Sequence, residues 1–348
     1  MNERFQNALH GKAQAVPPIW MMRQAGRYHS HYQGLRAKHS FMELCKIPEL
    51  AAETALGPIR DFDFDVSILF SDLLFPLEAL GMGLEYTDAK GPQLGFHLNP
   101  ENWSRLKSGE EALQGLMFQA EAVRATRELL PKDKSLIGFV GAPWTLFVYA
   151  VHGSHKGNLV ESKGHRELFE SFMGTLVPLL KRNIALQLDA GAELVMLFDT
   201  AAGELAPFAF NNLVRPHVQS LIDAFPKKLG YYMKGGTRDH FAGSGWLDEA
   251  TPLAGLGFDH RFSLPNVLKE TSKERSIFIQ GNYDQNLLLT ETDAFKASLE
   301  SYLEEFAPLS QYERRGWVSG LGHGVLPKTP EKHIRFAVDR IREFFAKR

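Results

Sequence analysis

Eight short apolar runs punctuate this chain, at residues 18–22, 66–70, 136–141, 193–198, 229–234, 255–259, 276–280 and 316–319. Each has the length of a strand, and continuous apolarity suits strands covered on both faces. Most of the segments between them carry helical periodicity. In 48–62, Leu50, Ala51, Ala55, Ile59 and Phe62 share one face, and 110–130 and 168–188 behave alike. Leu213, Val214, Val218, Leu221, Ile222 and Phe225 repeat the spacing. The last helix is expected to start with Thr329 as N-cap, Pro330 at its first position and Glu331 in its first turn. Its apolar stripe is Ile334, Val338, Ile341 and Phe345. Strands alternating with helices demand a parallel sheet with right-handed crossovers. Eight such units point to the α/β class and a (β/α)8 barrel with an eight-stranded core. The competitor, an open doubly wound sheet, would carry a Gly-rich phosphate turn after its first strand. An arginine-rich loop stands there instead. Nothing resembling a linker interrupts the chain, so one domain over 1–348 is expected, with 88–102 an excursion from the barrel.

The net charge of −2 argues against a broad nucleic-acid or anionic-membrane surface, so any positive site is local. The one cysteine, Cys45, allows no internal disulfide and no multi-thiolate zinc site. Residues 1–14 lack an apolar signal region, and no stretch approaches the roughly 18 apolar residues of a membrane span. A cytoplasmic protein is the expectation. The chain contains no phosphate loop, no His-Glu-x-x-His and no Gly-x-Ser-x-Gly.

Active sites of barrels lie at the C-terminal strand ends. Arg23 and Arg27 follow the first run, split by Gln24, Ala25 and Gly26, where Gly26 permits a turn or a close approach to ligand. Guanidinium groups bind carboxylates bidentately and stay charged, so two of them suggest a substrate with several carboxylates. The competing reading makes them surface residues paired with nearby acids. Asp72 follows the second run and could instead cap the next helix. Tyr149 lies beyond the third, and could be a packed aromatic. Asp199 and Thr200 follow the fourth, where Thr200 could serve as a cap. Lys234, Asp259, His260, Asn282 and Asp284 end the next three, and Asp259 reads best as one half of a structural pair. His323 sits between Gly322 and Gly324 after the eighth, where backbone can approach a ligand. His29, His31 and His165 read as ordinary surface residues.

Two segments resemble the signatures of the uroporphyrinogen decarboxylase family. They are Pro18-x-Trp20-x-Met22-Arg23-Gln24-Ala25-Gly26-Arg27, and Gly138 to Thr145 with Tyr149 following. Ile68–Asp72, Gln280-Gly281-Asn282 with Asp284, and Gly322-His323-Gly324 with Pro327 are similar too. Ala201 and Gln285 depart from it, standing where that family often has tryptophan or histidine, and proline. The resemblance implies a single (β/α)8 barrel, commonly a homodimer, that uses no metal or cofactor. It implies removal of carbon dioxide from the four acetates of uroporphyrinogen III to give coproporphyrinogen III in haem biosynthesis. It makes Arg23, Gln24, Ala25, Gly26, Arg27, Asp72, Tyr149, Thr200 and His323 the substrate-binding set, with Asp72, Arg23, Tyr149 and His323 catalytic.

The chemistry of these residue types agrees. An acetate on pyrrole loses carbon dioxide only into an electron sink, which ring protonation supplies. A carboxylate, here Asp72, accepts from pyrrole N–H groups and stabilises the ring cation. The proton donor is Arg23 or a water beside it, although arginine is a poor acid. Tyr149 and His323 suit orientation of substrate carboxylates. One rival is a zinc-dependent corrinoid or thiol methyltransferase on the same barrel, which would need His and Cys ligands at strand ends. The other is a non-catalytic tetrapyrrole binder, which would have no use for Asp72.

Overall fold

The computed structural model describes residues 1–87 and 91–347. Its strands in chain order are β1 (Val66–Ile68), β2 (Glu85–Thr87), β3 (Gly91–Gln93), β4 (Ser135–Gly141), β5 (Val195–Asp199), β6 (Leu229–Met233), β7 (Gly255–Gly257), β8 (Phe278–Tyr283) and β9 (Trp317–Leu321). Seven form one curled, all-parallel sheet in the order β1-β4-β5-β6-β7-β8-β9. β2 and β3 make a separate antiparallel hairpin. The excursion expected at 88–102 is thus this hairpin's second strand and the loop after it; residues 88–90 lie outside the described residues.

The first apolar run does not form a regular strand. It contributes a single parallel bridge, Ile19 with Ser319 of β9. Trp20 N donates to Ser319 O at 3.2 Å, and Ser319 N donates to Pro18 O at 2.9 Å. On the other side Asp65 N donates to Ile19 O at 3.0 Å. Pro18 has no N–H to give to a ladder, and the chain turns at Arg23, so the run is too short to extend the pairing.

Helices cover the outside of the sheet. Pro48–Phe62 packs against Met117–Leu129, and Arg166–Asp189 lies on β4 and β5. The 110–130 periodicity divides into Gly109–Gln114 and Met117–Leu129. β4 is buried along its whole length, as its unbroken apolar run requires. Buried Gln187 braces it by accepting from Phe139 N at 2.9 Å and donating to Phe139 O at 3.0 Å. The last helix is Glu331–Ala346, with Pro330 rather than Thr329 as N-cap, because Pro330 has extended backbone.

The edge of the sheet remote from the strand C-termini is tied by Asp65. Its carboxylate accepts from Asn2 at 3.1 Å, Arg4 at 3.0 Å and the Ile19 N–H at 2.8 Å. Two histidines expected at the surface are built in. His29 is fully buried with Nε2 2.7 Å from Asp61, and burial lowers its pKa. His31 bonds Glu53 at 2.8 Å, and its ring fills the space that any side chain on Gly57 would need. Neither burial shows in local sequence, because both partners come from the helix Pro48–Phe62. No helix among the described residues is long and apolar enough to cross a membrane.

Candidate active site

A pocket of about 560 Å³ opens at the C-terminal ends of β1, β4 and β5. Arg23, Gln24, Ala25, Gly26, Arg27, Asp72, Tyr149, Thr200 and His323 all line it. These residues lie on five separate stretches of chain, and the fold brings them to one place.

The arginine loop is held by backbone. Gln24 N donates to Met21 O at 3.0 Å, and Val325 N donates to Met22 O at 2.9 Å. The residue that turns the chain is Arg23 itself, with φ +60°, and not Gly26. A left-handed conformation costs a non-glycine residue roughly 1–2 kcal/mol. Gln24 helps to hold that turn. Its carboxamide accepts from Met21 N at 3.2 Å and donates to Val66 O of β1 at 3.0 Å. Gln24 thus touches the pocket but spends its side chain on positioning the loop. Arg23 and Arg27 are exposed, and among the described residues neither guanidinium reaches a carboxylate within 4.0 Å. Among the described residues no acid takes up the pairing that the surface reading requires. Gly324 lies directly against the Arg23 side chain: a Cβ there would sit 2.8 Å from Arg23 Cγ and closer still to Cδ.

Asp72 is half-buried in the pocket wall. Its Oδ1 accepts the Leu74 N–H at 2.9 Å, within the turn that precedes the helix Phe75–Leu77; that helix has Leu74, not Asp72, as its N-cap. Oδ2 takes no hydrogen bond among the described residues. Burial raises its pKa, opposed first by the Tyr86 hydroxyl, then by the Leu74 N–H and the Arg23 charge. The Tyr86 hydroxyl of β2 lies beside it, and burial, then the Asp72 charge, push the phenol's pKa up. Phe41 packs on Tyr86 with ring centroids 4.5 Å apart, and Phe139 meets Phe198 at 5.6 Å. These rings give the carboxylate an apolar surround.

His323 is braced by Tyr232, whose hydroxyl donates to Gly322 O at 2.8 Å and meets His323 Nδ1 at 3.0 Å. Burial, then the charges of Arg23 and Lys234, push the His323 pKa down to about 3. The ring is therefore neutral at physiological pH. Tyr149, on the helix Pro143–His152, has its pKa pushed up to about 12 by burial, then by Asp72. Its hydroxyl meets His155 Nδ1 at 2.7 Å. Thr200 is buried at the pocket edge. Asp199 beside it is fully buried and accepts from Thr145 at 2.6 Å and Tyr231 at 3.0 Å. Burial lifts its pKa to about 6.

The remaining strand-end groups, Lys234, Asp259, His260, Asn282 and Asp284, do not line this pocket. Asp259 accepts from Gly235 N at 2.6 Å and Arg261 N at 2.9 Å, and pairs with the Arg261 guanidinium. Asn282 donates to Asp259 O and Phe262 O at 2.9 and 2.8 Å. His260 and Asp284 stand 4.0 Å apart at a second cavity of about 440 Å³. Among the described residues no three His, Cys, Asp or Glu side chains are placed to hold a metal ion, and Cys45 is buried in the helix Phe41–Lys46. Tyr86, Arg36, Phe41 and Tyr32 also line the pocket. The strand-end rule misses them because they come from the hairpin and two short helices.

The model of the uroporphyrinogen decarboxylase family matches residues 1–344. The uroporphyrinogen decarboxylase of Caulobacter vibrioides is 34% identical over 97% of this chain and 95% of its own length. That of Thermus thermophilus is 32% identical over 99% of both. Among solved structures, a methyltransferase from Methanosarcina mazei superposes with a TM-score of 0.76, covering 99% of this chain and 98% of its own. At 19% identity that likeness concerns the fold alone.

Proposed function

The chain belongs to the uroporphyrinogen decarboxylase family, a family of carboxy-lyases, and on that premise we propose what its pocket groups do to uroporphyrinogen III. The observation that carries the reading is the presence in a single cleft of one carboxylate and two guanidinium groups that meet no carboxylate among the described residues. Arg23 and Arg27 hold substrate carboxylates in bidentate forks. Asp72 accepts from the pyrrole N–H groups through Oδ2. A proton added to a pyrrole carbon makes a ring cation beside Asp72, and the apolar surround strengthens that attraction. The bond between the acetate methylene and its carboxylate then breaks. Its electron pair flows into the ring and neutralises the cation, and carbon dioxide leaves. A second proton converts the methylene to a methyl group as the first leaves the ring. One proton thus replaces each of four carboxyl groups, giving coproporphyrinogen III. Tyr149 and neutral His323 orient the remaining carboxylates. An anaerobic assay with uroporphyrinogen III, resolving products with seven to four carboxylates, tests this; a substrate recovered intact would sink it.

The 18–20 segment serves in this reading as the eighth stave, bonded to β9 on one side and to Asp65 on the other. It closes the sheet into a (β/α)8 barrel forming one domain over 1–348. Amide exchange at Trp20 and Ser319 as slow as in β8 supports closure; fast exchange leaves the sheet open. The chain works as a cytoplasmic homodimer whose second copy shields the pocket mouth. Light scattering at micromolar concentration should find twice 39.1 kDa; a fully active monomer would refute this.

A further inference from the structure

We infer that His155 is a positioning residue for this reaction: through its 2.7 Å hydrogen bond at Nδ1 it sets the rotation of the Tyr149 hydroxyl. The inference rests on the role given above to Tyr149. His155 is not among the residues lining the pocket, whereas Tyr149 is, so His155 acts through its neighbour. The geometry arises locally. The helix Pro143–His152 ends at Gly153, whose φ of +70° reverses the chain, and Gly153 N donates to Tyr149 O at 2.8 Å. That reversal carries His155 back over the ring of Tyr149, with centroids 5.6 Å apart.

A phenol has one proton, and it can point either at His155 or into the pocket. The substrate brings carboxylates, which only accept. A His155 ring that donates its Nδ1 proton to the phenol oxygen turns the Tyr149 proton toward the pocket. An oxygen that accepts one hydrogen bond also donates the next more strongly. The surroundings keep the ring neutral. Burial comes first, then the charges of Lys234 from the end of β6, Arg23 from the arginine loop and adjacent Lys156, opposed by Glu204. Neutral His155 adds no further charge to an already positive rim.

A double-mutant cycle tests this. His155→Leu should lower kcat/KM about three- to tenfold, the span of one intramolecular hydrogen bond. His155→Asn, whose amide can donate to the same oxygen, should restore most of it. In a Tyr149→Phe background, His155→Leu should cost less than about twofold, because the oxygen it orients is gone. Losses that multiply in the double variant, as a general loss of fold would produce, overturn the inference. So does His155→Leu at wild-type rate, or His155→Asn no better than His155→Leu. Tyr149→Phe at wild-type rate overturns the role of Tyr149 itself. A slow Tyr149→Phe with a fully active His155→Leu removes only His155.

Discussion

Replacing Gly324 by alanine would test the arginine loop with a single methyl group. The new Cβ would stand 2.8 Å from Arg23 Cγ and 3.1 Å from Nε. Carbon atoms pack at about 3.5–4.0 Å, so the Arg23 stem must retreat by roughly an ångström. The contact falls on the middle of the side chain rather than its flexible tip, so the guanidinium moves with it. The backbone of Arg23 has little room to compensate, since it already holds φ +60° and is pinned through Gln24 and Val325. A displacement of that size at a substrate-positioning group costs about 10²-fold in rate, close to 2.7 kcal/mol. Gly324 itself is not in a left-handed conformation, so alanine fits its backbone and trims unfolded-state entropy by about 0.4–1 kcal/mol. Gly324→Ala should therefore keep its Tm within a few degrees while kcat/KM for uroporphyrinogen III falls about a hundredfold. In an Arg23→Ala background the same change should do little more. A variant within about threefold of wild type would show that the seat of Arg23 on Gly324 is not needed.

Asp72→Asn should lower turnover by about 10²–10³, the usual loss for one preorganised electrostatic partner, in the same anaerobic assay. Its stability should move the other way. The folded pKa of Asp72 is raised above its unfolded value, so its contribution to stability is full below about pH 4 and is lost as pH rises through the folded pKa. Asp72→Asn should thus match or exceed the wild-type Tm at pH 7, with the advantage vanishing near pH 3; a lower Tm at pH 7 contradicts it. Arg23→Lys and Arg27→Lys should each raise KM although charge is kept, because lysine lacks the planar fork. Kinetics equal to wild type for either would return that arginine to the surface. Asp65→Ala leaves the guanidinium of Arg4 and the N–H of Ile19 without their acceptor. Thermal melts should show a loss of about 1–3 kcal/mol, mostly from the buried Ile19 N–H since Arg4 is partly exposed, with kcat/KM of the folded fraction unchanged. A melt unchanged from wild type would show that the clamp carries no stability.

The alternation of apolar runs and amphipathic helices determined the parallel sheet, because buried strands and one-sided helices leave periods that a single chain displays. The rule that chemistry gathers at strand ends puts Arg23, Arg27, Asp72, Tyr149, Thr200 and His323 at one end of the sheet together with Asp199, Lys234 and Asp259, and the resemblance to a known family is what separates the first six. What each side chain does there was decided by tertiary structure. Asp72 reads alike as a helix cap or a pocket acid; it lines the pocket, and one oxygen accepts the Leu74 N–H in the turn before the helix Phe75–Leu77, whose N-cap is Leu74. Gln24 looked like part of the binding set, yet its amide goes to Val66 of the neighbouring strand. His29 and His31 looked like surface residues until the helix Pro48–Phe62 supplied Asp61 and Glu53. The first run reads as a full strand by composition, but pairing needs ladder partners, and it keeps a single bridge to Ser319. Periodicity reports which face of an element is apolar. Burial, pKa and hydrogen-bond choice depend on groups that arrive from remote stretches of chain, as Gly324 does at Arg23 and Lys234 at His323.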